Sequence, residues 1–271
     1  MKIGIDKTSY VAFELSNLCN YGHLHRKCPA RGVGDKSAPQ ILPGVIVEDV
    51  LRNLGSAAYS QSISFAVHND PLCDPRLFSF VELARECCPD ACIVIGTNGW
   101  YLTTGLAEEL FDAGATFFLV SAYSQYEQRR LEAIRSDLAA KVEYLPPRAS
   151  FSINPTRTAF DDRMSMYYEG TPSPRPCNAP LTELVITSDG KLGLCCVDVW
   201  RKCIFGDLKA QSFGQVMESA APQLERLRDE LRKGQRTLPV CQRCTFVQRW
   251  WQAIDHGDRR WERALLSEMP R

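Results

Sequence analysis

Residues 91–121, ACIVIGTNGWYLTTGLAEELFDAGATFFLVS, decide the fold. The run 91–95 is apolar, short enough for a strand, and stops at Gly96-Thr97-Asn98-Gly99, a turn signal. Residues 104–113 then place their apolar side chains at helical spacing and are closed by Gly114, and 116–121 is again strand-like. A strand, a helix and a strand in direct succession predict a parallel α/β unit, because only a crossover lets two neighbouring strands run the same way.

The same alternation extends outward. On the N-terminal side, 10–18 is an apolar run leading into a loop, 62–67 is a short strand candidate, and 76–88 has helical spacing with Pro75 at its start. On the other side, 125–140 reads as a helix, and 142–144 and 149–153 as weaker strands. This predicts a parallel sheet or barrel, with functional groups where loops leave the carboxyl ends of the strands. The pattern changes near residue 165. Thr171-Pro-Ser-Pro-Arg-Pro176 is a proline-rich break, so the expected domains are 1–165 and 166–271. Beyond the break, 181–187 and 192–197 flank Ser188-Asp189-Gly190-Lys191, a hairpin signal. Helices are expected over 212–233 and 246–266, the last carrying Trp250, Trp251 and Trp261 in packing roles, and the charges of 225–233 read as a solvated face.

Composition narrows the function. The chain has 271 residues, is 45% hydrophobic, and balances 32 Lys+Arg against 32 Asp+Glu. A neutral chain has no bulk attraction for nucleic acid or acidic membranes. No apolar run approaches the roughly 20 residues that span a bilayer, and the N-terminus lacks the features of a signal peptide, so a cytoplasmic protein is expected. Its 12 cysteines then point to metal or redox work rather than disulfides.

Two cysteine groups stand out. Cys177, Cys195, Cys241 and Cys244 surround the expected hairpin, the last two as Cys-x-x-Cys, and together they can form a four-sulfur shell for zinc or a four-iron cluster. Near the start, Cys19 and Cys28 bracket His23 and His25, two of the chain's 4 histidines, in a loop after a strand. Thiolate and imidazole both ligate iron, and three protein ligands on a four-iron cluster leave one iron open. Cys87, Cys88 and Cys92 read as packing residues around Pro89.

With these elements in place, the chain resembles the radical S-adenosylmethionine (SAM) enzymes that carry a shortened SPASM domain of the twitch type. The auxiliary signature appears as Cys177, Gly190, Cys195, Cys241 and Cys244, with no later cysteine. That implies a single auxiliary 4Fe-4S cluster held by four protein thiolates. Phe65-Ala-Val-His-Asn-Asp-Pro-Leu-Cys-Asp-Pro75 resembles the Gly-Gly-Glu-Pro segment of the family, with Asp70 in the place that accepts from the SAM amino group. Thr97-Asn98-Gly99 resembles the next strand-end signature, and Ser121 lies at the end of a later strand. The resemblance covers nearly the whole chain. It implies a partial (β/α)6 TIM-like barrel, a small hairpin-plus-helix cluster domain, two 4Fe-4S clusters and SAM.

The SAM-cluster loop departs from the family pattern Cys-x-x-x-Cys-x-x-Cys. Cys19 matches the first position and Cys28-Pro29 the last. His25 keeps the final two-residue gap and is the preferred middle ligand, while His23 keeps the first three-residue gap. A third reading gives the cluster two thiolates plus a distant cysteine such as Cys73. Imidazole in place of thiolate removes a negative charge and should raise the cluster potential, which makes electron delivery to SAM harder.

By resemblance, the activity is reductive cleavage of SAM to a 5′-deoxyadenosyl radical, which abstracts a hydrogen atom from substrate; dehydrogenation or epimerisation follows. An external one-electron donor such as flavodoxin or ferredoxin is implied. Cys196 and Cys203, beside the auxiliary site, are candidates for hydrogen-atom donor or extra ligand, or else core packing. The chain starts almost at the first barrel strand, so a small polar substrate, such as an aminocyclitol or sugar in natural-product biosynthesis, is expected ahead of a peptide. A degenerate non-catalytic member and a zinc-binding scaffold are the alternatives.

Overall fold

The computed structural model describes residues 5, 7–22, 28, 39–141, 149–155, 177 and 179–245. In chain order they form β1 (Tyr10–Phe13), α1 (Gly44–Ser56), β2 (Ser62–Ser64), a 3-10 turn (Pro71–Cys73), α2 (Leu77–Cys87), β3 (Cys92–Thr97), α3 (Thr104–Asp112) and β4 (Phe117–Ala122). Then come α4 (Gln125–Ala140), β5 (Ser150–Pro155), α5 (Ala179–Thr182), β6 (Glu183–Ile186), β7 (Lys191–Gly193), β8 (Ile204–Asp207), α6 (Phe213–Arg232) and α7 (Pro239–Arg243).

One eight-stranded sheet carries everything, in the order β5-β4-β3-β2-β1-β6-β7-β8. Strands β1 to β6 pair in parallel, and β7 and β8 add antiparallel. The expected α/β architecture is present as an open, partial-barrel-like sheet. Its sixth parallel strand lies beside β1, in register from Tyr10↔Glu183 to Phe13↔Ile186, so the hairpin continues the barrel sheet. The deciding unit 91–121 folds as β3, α3 and β4, as its pattern predicts.

Local sequence explains the elements. The residues of β1 are all buried, as a strand covered on both faces requires. Thr103, Ser124 and Ser212 cap α3, α4 and α6 by accepting from the amides of Leu106, Glu127 and Gln215. Helix α1 buries Ile46, Val47, Val50, Leu51 and Leu54 along one face. The main core joins both faces of the sheet, with Phe13 stacked on Phe65 at 5.6 Å and Phe65 on Phe80 at 6.4 Å. Cys88 is buried in this core and Cys87 packs against it. A second, smaller cluster joins Leu194, Leu227, Leu231 and Cys241, with Cys177, Cys195 and Cys203 against it.

Several expectations need correction. Leu181 and Thr182 lie in α5, not in the strand. The second hairpin strand ends at Gly193, because the chain turns where the Asp198 amide donates to the Cys195 carbonyl at 3.2 Å. The first strand leaves the sheet after Phe13 instead of running to 18. Arg228, on the face of α6 expected to be solvated, is fully buried and donates to Pro180 O and Glu225. The expected strand 142–144, the break 171–176 and the helix 246–266 lie outside the described residues.

Gly55 shows how tightly α1 meets α2: a Cβ there would sit 2.5 Å from the backbone oxygen of Cys87. Gly55→Ala should therefore destabilise the protein by about 1–3 kcal/mol through overpacking, more than the roughly 1 kcal/mol that alanine gains in helix propensity. Urea denaturation checks this, since propensity alone predicts stabilisation.

Candidate active site

Three strand ends build the first part of the site. After β1, the loop carries Leu18, Cys19, Asn20 and Tyr21; after β2 come His68, Asn69 and Asp70; after β3 come Asn98 and Gly99. Asp70 N donates to Leu18 O at 3.0 Å, which joins the first two loops. The buried Asp70 carboxylate accepts from Leu72 N at 3.0 Å, Thr97 Oγ1 at 2.9 Å and Asn98 N at 2.8 Å, which joins the second to the third. Burial pushes this carboxyl up, and its bonds from Asn98, Thr97 and Leu72 draw it partly back. A carboxylate offers about four acceptor positions, so three donors leave one for a ligand amine. Gly99 takes φ +73°, and a Cβ would press on Val120 and Leu131 at 2.6 and 2.8 Å, so glycine is required there.

Asn98 Nδ2 donates to Asn20 Oδ1 at 2.7 Å and lies 3.8 Å from Cys19 Sγ. Tyr21 pins the far side of the loop: its hydroxyl bonds Glu127 Oε1, while Glu127 Oε2 accepts from Tyr123 N at 2.9 Å. Its ring meets those of Trp100 and Tyr123 at 5.8 and 5.5 Å. Cys28 is buried near Cys19, and burial pushes the Cys19 thiol up to about 12. His23 and His25 lie outside the described residues. Ser121 sits in β4, in register with Asn154.

The second part is the cysteine quartet. Cys177, Cys195, Cys241 and Cys244 all line one small apolar cavity with Leu194, Val197 and Val240. Cys195 comes from the loop after β7; Cys241 and Cys244 come from α7 and its C-cap. Arg236 Nη1 donates to the carbonyls of Cys241 and Cys244 at 3.2 and 2.9 Å and so fixes the Cys-x-x-Cys turn. Burial raises all three thiols for which a shift stands out: Cys177, Cys195, and Cys241 at about 12. Neutral thiols thus fit the bare site, and bound iron is what would make them thiolates. Among the described residues no three His, Cys, Asp or Glu side chains are grouped for a single metal ion. A lining of four cysteine sulfurs suits a four-iron cluster, which these residues would hold.

Beside the quartet lies a small cavity whose lining mixes Glu14, His68, Thr187, Asp198 and Arg201 with Val67, Val185 and Leu194, and which also touches Cys195. Glu14 is buried and accepts from Ser188 N at 2.9 Å and from Arg201 Nη2, and His68 Nδ1 lies 3.2 Å away. His68 Nε2 is 2.7 Å from the Cys196 carbonyl. The two ring nitrogens therefore face two acceptor oxygens, Glu14 Oε1 and the Cys196 carbonyl. Burial alone would raise the Glu14 carboxyl; His68, Arg201 and the Ser188 amide outweigh it and hold it at about 2. Arg201 also pairs with Asp189 at 2.7 Å. Asp198, buried, accepts only from amides in the bonds the structure gives it, Lys202 N at 3.1 Å and Cys203 N at 2.8 Å.

Cys196 and Cys203 are placed differently from the quartet, and neither lines this cavity. Cys203 packs in the small apolar cluster. The Cys196 thiol faces Glu183, whose two carboxylate oxygens have no partner at hydrogen-bond distance; burial raises Glu183 to about 7, and Cys196 draws it only partly back. Glu14, Asn20, Tyr21, His68, Glu127 and Arg201 were not singled out from sequence. Glu14 and His68 carried a usable signal, being polar residues just beyond apolar strands. Arg201 carried none, because it meets Glu14 across 187 positions.

Residues 177–245 match the family model for SPASM, the iron-sulfur cluster-binding domain. Over 244 residues the chain is 24% identical to the S-adenosyl-L-methionine-dependent 2-deoxy-scyllo-inosamine dehydrogenase of Niallia circulans, covering 88% of this chain and 93% of that protein. Its fold is similar to the crystal structure of BtrN in complex with AdoMet and 2-DOIA, with a TM-score of 0.70 and 21% identity over 89% of this chain and 94% of that one. It is also similar to anSMEcpe with bound AdoMet, at a TM-score of 0.52 and 13% identity over 87% and 84%. The matched region contains all four cysteines of the quartet.

Proposed function

We propose that this radical SAM chain with a SPASM-type auxiliary domain is a dehydrogenase that oxidises an alcohol carbon of a small polar, amine-bearing substrate. The observation that carries the reading is the group of polar side chains Glu14, His68, Asp198 and Arg201 around a small cavity that shares Cys195 with the quartet's own cavity. A substrate recognised by these side chains lies beside the auxiliary site, and His68 is within two residues of Asp70 in sequence. When bound, SAM and the two clusters supply a hydrogen-abstracting radical and a one-electron sink. The net change is loss of a hydrogen atom from carbon, a proton from oxygen and an electron, leaving a ketone.

The residues of the chain bind and shield. Cys19 and Cys28 hold the first cluster, and the quartet holds the second. Asp70 has one acceptor position left for the SAM amino group, and Asn98, Gly99 and Ser121 shape that subsite. Trp100, 55% exposed beside Tyr21, lies at the rim. In the cavity, Arg201 and His68 offset Glu14, which leaves Asp198 as the carboxylate to receive a substrate ammonium group; hydroxyls meet Thr187 and the Arg201 guanidinium. The Niallia circulans relative acts on an aminocyclitol by its name, and this lining suits the same class. Starting electrons come from an external donor such as flavodoxin or ferredoxin. Among the described residues no helix is long and apolar enough to cross a membrane, in keeping with a cytoplasmic enzyme.

The reading is tested by reconstituting the protein anaerobically and incubating it with SAM and dithionite. Formation of 5′-deoxyadenosine above the protein-free control is expected, and its loss in Cys19→Ala. A reconstituted protein with both clusters that leaves SAM intact would favour a scaffold instead.

A further inference from the structure

We propose that Cys73 is the third thiolate ligand of the SAM-binding cluster, taking the place of the cysteine absent between Cys19 and Cys28. This rests on the radical SAM reading and supplies the ligand that the loop itself lacks.

The fold brings Cys73 to the loop through contacts unrelated to its own thiol. Asp70 N donates to Leu18 O at 3.0 Å, and Cys73 N donates to Asp70 O at 3.1 Å, so the 3-10 turn closes directly on the residues beside Cys19. Asn20 Oδ1 then lies 3.8 Å from Cys73 Sγ and 2.7 Å from Asn98 Nδ2, which is itself 3.8 Å from Cys19 Sγ. One pair of amides thus separates the two sulfurs. The Cys19 and Cys73 sulfurs, from two loops, therefore border one small region at the strand ends. Cys73 is half-buried, so its thiol stays accessible to a ligand.

The chemistry favours this set over an imidazole. Three thiolates keep the usual charge on the cluster, so its potential need not rise as it would with histidine. They also leave one iron without a protein ligand, which SAM requires. When the third sulfur comes from after β2, no ligand is needed between Cys19 and Cys28.

The test compares Cys73→Ala, Cys73→Ser and His23→Ala/His25→Ala with wild type. Each is reconstituted anaerobically, assayed for iron and sulfide, and examined by electron paramagnetic resonance after reduction, with and without SAM. Wild type should hold about eight irons per chain and show a signal that SAM perturbs. Both Cys73 variants should fall to about four irons and lose the SAM-sensitive signal while keeping the auxiliary one, which reports that the protein is folded. The histidine double variant should match wild type. Full iron and an unchanged signal in the Cys73 variants, or loss of the SAM-sensitive signal in the histidine variant, would overturn the three-thiolate set. A wild type without any SAM-sensitive signal would instead overturn the radical SAM reading on which it stands.

Discussion

Replacing Cys241 and Cys244 together by alanine should halve the iron content, from about eight to about four per chain, and lower ketone formation at least roughly 100-fold. SAM cleavage should persist within about tenfold, because Cys19, Cys28 and the Asp70 network are built on other strand ends. The effect is large because the quartet's surroundings are thin. The cluster of Leu194, Leu227, Leu231 and Cys241 is small beside the main core, and α7 is held by few groups, Arg236 among them. Binding of metal by such a segment is part of its folding free energy. The variant should accordingly gain a protease-sensitive region around 236–245, visible by limited proteolysis. Retention of full iron, or an equal loss of SAM cleavage and product, would contradict the separation of the two sites.

Glu14→Gln should lower stability by about 3 kcal/mol at neutral pH. The buried carboxylate pairs with Arg201 and accepts from Ser188 N, and its removal leaves the largely buried guanidinium with Asp189 as its one remaining ion-pair partner among the described residues. The pH dependence follows from the same group. Its carboxyl sits at about 2 in the folded state against 4.5 ordinarily. The folded state therefore binds that proton less readily, and the contribution is fully present above pH 4.5. It is lost as pH falls toward 2, and at about 1.4 kcal/mol per unit it amounts to roughly 3 kcal/mol. Urea denaturation of both proteins across that range should show their difference shrinking as pH drops. Equal stability at pH 7 would mean that the Glu14–Arg201–His68 group does not organise the cavity. The same variant should raise KM for substrate, since Arg201 and His68 line the cavity that Glu14 orders.

What the sequence discloses follows from the range of the interactions. Periodicity reports local structure, so β3, α3 and β4 read correctly, and the Asp189-Gly190 turn marks the hairpin. In that turn Gly190 takes φ +76° and donates to Thr187 O at 2.8 Å. Cys-x-x-Cys is legible because its two sulfurs share one turn. Helix α1 was passed over although its apolar spacing is helical; it follows Pro39 and Pro43, which draw attention to the break instead of the helix. Strand β8 was missed because four residues, Ile204 to Asp207, have no period to detect, and its place at the edge is set by β7. Pairing of β6 with β1 and the Glu14–Arg201–His68 group depend on tertiary proximity alone. The resemblance to radical SAM enzymes supplied Asp70 and Asn98 as site residues, and the structure adds their bonds to each other and, through Asn20, to Cys19 and Cys73.

The central claim is that a hydrogen atom leaves a substrate carbon and enters 5′-deoxyadenosine on the way to a ketone. The direct measurement uses aminocyclitols deuterated at the carbinol carbon, beginning with 2-deoxy-scyllo-inosamine and its amino-sugar analogues, with reconstituted protein, SAM and reductant. Mass spectrometry of the nucleoside should show one deuterium, matched by an equal amount of ketone. Unlabelled 5′-deoxyadenosine and no ketone across the set, from a preparation that cleaves SAM, would contradict the assignment of this protein as a dehydrogenase of small amine-bearing alcohols.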